Sequence, residues 1–418
     1  MEDRRSFLSK AALGALAAAG VSRAPAASDQ FTVGFIGTGV RGSACLIPQF
    51  KANPGFRIAA VCDVYKPHLE EGVKVAGGGV DAYSDYRRII DRKDIDVVVI
   101  ATPDHWHCPM IIEACQAGKD IYCEKPLSND IDMCLKAVAA ARKYKRVVQV
   151  GLMQATSLPF MEAYKVFQTG ILGNVRHVVL PNPGGAARRG PLSEREQAAL
   201  RPTAPPPGLD WEMFQGPAPR KPYTPDRQRN WRAYWEYGGS ALSDSVHIID
   251  VAHWYMGVTA PASKATAVYG WFNRPHDDRV PDTIEVSYQY PKFVANYSSR
   301  PDLLHLHFGT IFFGDEGMLA VDREGYTVQP ISGRRGGKPP FEQKKVTLHD
   351  EPPNYVGKID SDSGRLVMNF LECIKSRQRP IRDIEIAAWS TIPTLMGGLS
   401  IRKGGRTVAW NGHGAAVL

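Results

Sequence analysis

The sequence predicts an α/β chain: a doubly wound parallel sheet first, then an α+β unit whose sheet is mostly antiparallel. Three observations predict it. Between Phe31 and Val150, short apolar runs alternate with helical patterns, the texture of repeated βα units. A stretch rich in Pro, Gly and Arg, 182–224, then breaks the alternation. Beyond it, β-rich segments follow one another through connections too short for crossover helices, which calls for antiparallel pairing. The 418 residues suit two domains.

The elements follow in order. Runs at 31–36, 58–61, 97–101, 121–123 and 147–150 read as buried strands, with helical periodicity between them. The texture changes around 175–180, and 182–224 reads as a long loop over the surface of the second domain. A helix is expected near 242–256, then β segments at 265–272, 283–290, 293–298, 309–313, 318–322 and 326–330. Residues 365–375 read as a helix, with Leu366, Phe370 and Ile374 on one face.

Residues 1–27 read as an address rather than as structure. Arg4-Arg5-Ser6-Phe7-Leu8 is a twin arginine followed by apolar residues, and the Ala/Leu/Gly run from Ala11 to Gly20 is too short to span a bilayer. Ala24-Pro25-Ala26 offers small residues for cleavage. The expectation is a twin-arginine signal peptide and a periplasmic or otherwise exported mature protein, since that route carries folded chains. The composition, 44% hydrophobic and 22% charged, excludes a mostly disordered protein. The net charge of +8 falls to +6 without the first 27 residues, and no Lys/Arg block remains that would suit nucleic acid. Seven cysteines without a CxxC pair fit neither a disulfide framework nor a zinc finger, and folding before export keeps them as thiols.

Gly37-Thr38-Gly39-Val40-Arg41-Gly42 follows the first strand and opens a helix, and the second strand ends in Asp63, 21 residues after Gly42. That context, more than the glycine spacing, marks a dinucleotide site. Gly37 permits the turn, Gly39 lets backbone approach the pyrophosphate, and Gly42 packs helix on strand, with the pyrophosphate on the helix dipole. Asp63 would accept from the adenosine ribose and repel a 2′-phosphate, which points to NAD, with Lys66 and Arg41 keeping NADP as the alternative. Thr102, Pro103, His105, Trp106, His107, Glu124 and Lys125 stand at the ends of later strands, where a doubly wound sheet opens its ligand crevice. They are candidate cofactor contacts, with loop packing as the other reading. His105 and His107 would point apart on extended backbone and no further ligands stand nearby, so no metal is expected.

These residues carry a resemblance. GFIGTGVRG, DVVVIATPDHWH, CEKPLS and, later, GLDWEMFQGPAP, YWEYGGSALSDSVHIIDVAHW, FGDEGML and NFLECIKSRQRP resemble the Gfo/Idh/MocA oxidoreductase family, in order and over nearly all of the mature chain. The resemblance implies a Rossmann domain over 28–152 and an α/β domain over 153–418 with a large open sheet. The free face of that sheet lines the active site and often a homo-oligomer interface, and the helix near 365–376 packs back on the first domain. It also implies NAD(P)-dependent chemistry on sugars, inositols and other polyols, and assigns Lys125 as the lysine bridging cofactor and substrate.

Hydride transfer from an alcohol needs a positioned nicotinamide and a group that removes the hydroxyl proton. Lys125, Asp244 and His247 can supply this, and Asp244 and His247, three apart on a helix, share a face, so the carboxylate could orient the imidazole. Related sequences commonly space this pair by four; both spacings face one way. Trp231 and Tyr237, with Trp235, offer aromatic faces for a sugar, or core packing. Three functions are open at this level. The first is a sugar or polyol dehydrogenase, which outside the cytoplasm would retain and recycle its NAD. The second is a glycosidase or lyase that works by transient oxidation at C3, and the third a non-catalytic sugar-binding protein, against which the intact triad argues.

Overall fold

Six parallel strands form the first sheet in the order β3-β2-β1-β4-β5-β6. They are β1 (Phe31–Ile36), β2 (Phe56–Cys62), β3 (Asp81–Tyr83), β4 (Val97–Ile100), β5 (Asp120–Cys123) and β6 (Val148–Val150). The computed structural model describes residues 30–183, 193–239, 241–272, 278–300, 308–331, 339–348 and 361–418, so the export segment read over 1–27 lies outside it. Helices α1 (Ile47–Ala52), α2 (Lys66–Ala76), α3 (Arg87–Ile90), α4 (Asp104–Gln116) and α5 (Ile131–Lys143) connect the strands. All four residues of β4 and of β5 are buried, as strands covered on both faces must be. The strand order reverses between β1 and β4, and the crevice at their C-terminal ends is where such a sheet holds ligands.

α6 (Leu158–Gln168) leads into the second unit. Its ten-stranded sheet has the order β14-β13-β12-β11-β7-β10-β9-β8-β15-β16. The strands are β7 (His177–Pro181), β8 (Lys264–Gly270), β9 (Thr283–Gln289), β10 (Val294–Ser298), β11 (Thr310–Phe313), β12 (Gly317–Asp322), β13 (Gly325–Pro330), β14 (Lys344–Thr347), β15 (Val408–Trp410) and β16 (Ala415–Val417). Only β7 and β10 run parallel. Along β9, Ile284, Val286 and Tyr288 are buried while alternate residues are not, so one face meets the core and the other lies open.

Two short helices, α7 (Glu194–Ala199) and α8 (Trp211–Gln215), interrupt the stretch read as a loop, and α9 (Pro225–Arg229) follows it directly. Then come α10 (Ala241–Met256), α11 (Asp362–Ser376) and α12 (Ile384–Arg402). The apolar face of α11 joins the first domain's core: Leu366, Phe370 and Ile374 are buried with Phe50, Phe56 and Tyr122. Phe370 stacks on Phe56 at 6.3 Å and meets Tyr122 edge-on at 5.9 Å. Each such ring contributes about 1.5–3 kcal/mol, so the last helices hold the first domain together as well as the second. Arg382 Nε bonds Asp250 Oδ2 at 2.7 Å with both side chains buried, tying the segment before α12 to the middle of α10. All seven cysteines are buried thiols.

Candidate active site

The crevice at the strand ends opens into a cleft of 1280 Å³ lined from both domains. At one end lies the glycine turn. Gly37 has φ +92°, and a Cβ there would stand 2.6 Å from the Ala101 carbonyl group, so the turn after β1 requires glycine. A Cβ on Gly42 would stand 2.2 Å from the Gly37 carbonyl oxygen, which keeps helix and turn together. The helix begins with a π-helical turn, Gly42–Leu46, before α1. Gly37, Gly39, Val40 and Arg41 line the cleft, whereas Thr38 and Gly42 stand behind it. The Thr38 hydroxyl donates to the His68 carbonyl oxygen at 2.8 Å.

Asp63 lines the same end, and its carboxylate accepts from the backbone N–H groups of Thr38 at 2.8 Å and Tyr65 at 2.9 Å. Arg41 bonds Glu124 at 2.7 Å, so its guanidinium is committed inward rather than offered to a 2′-phosphate. Val40 is 83% exposed at the helix start, and the Thr102 hydroxyl is buried without a partner. An open helix N-terminus, a turn with no room for Cβ atoms and an unanswered hydroxyl fit a dinucleotide.

The stretch after 193 lies against this end of the cleft, not over the second domain's surface. Lys66 N–H donates to Gly208 O at 2.8 Å and Asp210 N–H to Val64 O at 2.9 Å, just past Asp63. Thr203, Ala204, Pro206 and Leu209 line the cleft there. Its low sequence periodicity reflects backbone that pairs with another domain instead of forming long elements.

At the other end, Lys125 Nζ donates to Asp244 Oδ1 at 2.6 Å. Two unions deliver the pair. The Lys125-Pro126 peptide is cis, and His107 Nδ1 stands 2.7 Å from Pro126 O while its Nε2 stands 3.0 Å from Thr102 O, pinning two strand-end loops together. Leu127 N–H donates to Thr391 Oγ1 at 3.2 Å, anchoring the same loop to α12. Asp244 and His247 project from α10 into the cleft. Burial pushes the Asp244 carboxyl up, but Lys125, then Arg232 and Arg323, more than offset this and hold it below the usual carboxylate range. Burial, then Lys125 and Arg323, drive the His247 imidazole well below its ordinary value, so it is neutral at pH 7. No hydrogen bond joins Asp244 to His247: the carboxylate serves Lys125, and His247 Nδ1 is buried without a partner. Asp250 is equally unavailable to the ring, being held by Arg382 and Ser390.

Trp231, Thr102, Pro103, Trp106 and Glu124 also line the cleft. His105, His107 and Tyr237 do not. Tyr237 is fully buried in a cluster with Trp211, Phe214, Tyr223 and Tyr234, and Trp235 packs against Gly398. His105 Nε2 stands 3.0 Å from Phe214 O, joining α4 to α8. These aromatic and imidazole rings fill the joint between the domains, where their packing outweighs exposure to a ligand. Arg232, Arg323 and Phe308, which line the cleft, carry no motif that would single them out in the sequence.

Burial drives His105 down to about 4 and His253 to about 3. In the unfolded chain both titrate near 6.5, so protons favour unfolding: this stabilisation is intact above about pH 6.5 and is lost as pH falls toward 4. His105→Gln is expected to flatten the fall in unfolding free energy between about pH 6 and 4.5 by about 1.4 kcal/mol per pH unit. Urea titrations of both proteins measure it, and equal slopes would refute it.

Residues 31–152 match the model of an oxidoreductase family with an NAD-binding Rossmann fold, and 157–292 match that family's C-terminal α/β domain. Inositol 2-dehydrogenase 4 of Saccharopolyspora erythraea is 33% identical over 147 residues, 34% of this chain and 43% of the relative. A glycosyl hydrolase family 109 protein of Shewanella pealeana is 34% identical over 129 residues, 28% of this chain and 27% of the relative. The chain thus spans less than half the length of the curated relatives it matches. The crystal structure of aldose-aldose oxidoreductase from Caulobacter crescentus, complexed with glycerol, superimposes with a TM-score of 0.64 at 20% identity, covering 91% of this chain and all of that one, a likeness of fold. The two successive matches take in more than half of the chain, and with the glycine turn, Asp63 and the cleft between the domains they place it in the Gfo/Idh/MocA family of oxidoreductases, with an NAD-binding Rossmann domain.

Proposed function

We propose that this protein oxidises a hydroxyl of a sugar, glycoside or polyol by hydride transfer to a retained NAD. The observation that carries the reading is the Lys125–Asp244 ion pair beside a neutral His247, in the same cleft as the glycine turn and Asp63. NAD supplies the hydride acceptor when bound at that turn. His247, neutral and with an unanswered ring nitrogen, accepts the hydroxyl proton. Lys125 binds the substrate oxygen and steadies the charge that develops on it, and Asp244 keeps the ammonium aimed.

Retention fits the segment around Gly208, which is hydrogen-bonded across the Asp63 end of the cleft. It also fits the twin arginine: an exported enzyme meets little free NAD and works best in a redox-neutral cycle, oxidising one sugar and reducing another. The glycosidase reading, supported by the family 109 relative, uses the same residues, with oxidation at C3 acidifying the C2 proton before elimination. Assembly into a homo-oligomer through the open sheet is part of the proposal, supported by Val268, Phe272 and Val294, exposed on or beside β8 and β10.

Denaturing the purified protein should release NAD in near-stoichiometric amount. Sugars and p-nitrophenyl glycosides added to the native protein then separate the readings: reduced nicotinamide that builds up marks a dehydrogenase, and aglycone release without build-up marks the glycosidase. A protein that neither carries nor binds NAD would overturn both.

A further inference from the structure

Two guanidinium groups stand at the reacting end of the cleft, near enough to Asp244 to lower its carboxyl but in ion-pair contact with no acid among the described residues. Arg323 stands in the turn between β12 and β13, Arg232 in the short turn Trp231–Ala233, and both line the cleft with Lys125, Asp244 and His247. Arg41 and Lys125 are answered, by Glu124 at 2.7 Å and Asp244 at 2.6 Å. Among the described residues no ion pair joins Arg323 or Arg232 to any acid, although Asp322 and Glu324 flank Arg323 in sequence. Asp322 Oδ1 instead accepts the Glu324 N–H at 2.8 Å, closing the turn.

Arg323 stacks over Phe308 at 5.6 Å, and Phe308 meets the His247 ring edge-on at 6.2 Å, so one ring separates the guanidinium from the imidazole. Arg323 Nε is buried and makes no hydrogen bond. Arg232 lies on the face of Trp231 at 4.2 Å. A guanidinium with a buried, unanswered donor is costly unless a ligand brings the acceptor. Its planar fork matches carboxylate and phosphate oxygens, whereas a neutral polyol needs no second and third cation.

We propose that Arg323, assisted by Arg232, is an anion subsite, and that the substrate is an acidic carbohydrate carrying a carboxylate or phosphate near the hydroxyl that reacts. This rests on reading the cleft as the hydride-transfer site. Arg323 takes the anion, Arg232 closes over it from the exposed side, and Lys125 and His247 are left for the hydroxyl.

The test uses the purified full-length protein with its dinucleotide retained, titrated calorimetrically with D-glucuronate, D-galacturonate, glucose 6-phosphate and inorganic phosphate, and with D-glucose, D-galactose and myo-inositol. Charged probes are expected to bind at least about tenfold more tightly than neutral ones, as a charge-assisted bidentate contact implies. Uronate against sugar phosphate tells carboxylate from phosphate. Arg323→Gln should abolish the preference and Arg232→Gln reduce it, with released NAD reporting that each variant folds. Neutral sugars binding as tightly as charged ones, no charged probe binding, or a preference that survives in the double variant would overturn the subsite. Arg323-dependent anion binding without any reduction of bound NAD would leave the subsite and remove the oxidoreductase reading; reduction by neutral sugars alone would do the reverse.

Discussion

Replacing Lys125 with alanine is expected to leave a folded protein that still carries NAD and turns over about 10²–10⁴ times more slowly, the usual worth of one positioned proton-transfer or charge-stabilising group. The fold should tolerate the change. The Lys125 side chain faces the cleft, and Arg232 and Arg323 remain to favour the ionised form of the orphaned Asp244 carboxylate. The rate should not, because the site then loses the ammonium that Asp244 aims at the alkoxide created by proton abstraction. Single-turnover reduction of the bound nicotinamide, on a substrate found in the sugar panel, measures the effect. Wild-type turnover in Lys125→Ala would reject the assigned role.

The largest effect on stability is expected at Arg382. Removing one partner of a buried ion pair leaves an uncompensated charge and costs about 3–5 kcal/mol. In Arg382→Leu that charge is Asp250, which is 1% exposed and keeps only the Ser390 hydroxyl at 3.1 Å. Arg382 also accepts the Val150 N–H at its carbonyl, at 3.0 Å, so one residue connects the end of β6, α10 and the start of α12. Since α10 carries Asp244 and His247, the loss should extend to the site. Urea unfolding measures the first consequence and NAD-linked turnover the second. The double replacement Asp250→Leu with Arg382→Leu should recover much of the stability, and a single variant within about 1 kcal/mol of wild type would refute the argument.

How much was legible follows from which signals are local. The strands at β1, β4, β9 and β10 and the helix α10 are visible because burial on two faces, or on one, imprints runs or alternation. α12 left no such imprint. It is buried on nearly every side, so its apolar residues form no stripe. β3 and β14 to β16 are short edge or near-edge strands whose partners, rather than their composition, make them strands.

The site divides in the same way. The glycine turn, Asp63, Lys125, Asp244 and His247 were readable because the chemistry imposes residue type and spacing: a turn that excludes Cβ atoms, an acid at the end of the second strand, two polar groups on one helical face. Which acid serves which base was not readable, since Asp244 chooses Lys125 across 119 residues over a neighbour three residues away. Nor was the sorting of His105 and Tyr237 into the domain joint, of His107 between two strand-end loops, and of Arg232 and Arg323 into the cleft. The sequence by itself determined that a dinucleotide turn and an acid–base set exist, because those are local patterns of sterics and charge. Only the tertiary structure decided which side chains meet and which face the cleft, because burial and ion pairing depend on groups that the chain brings together from afar.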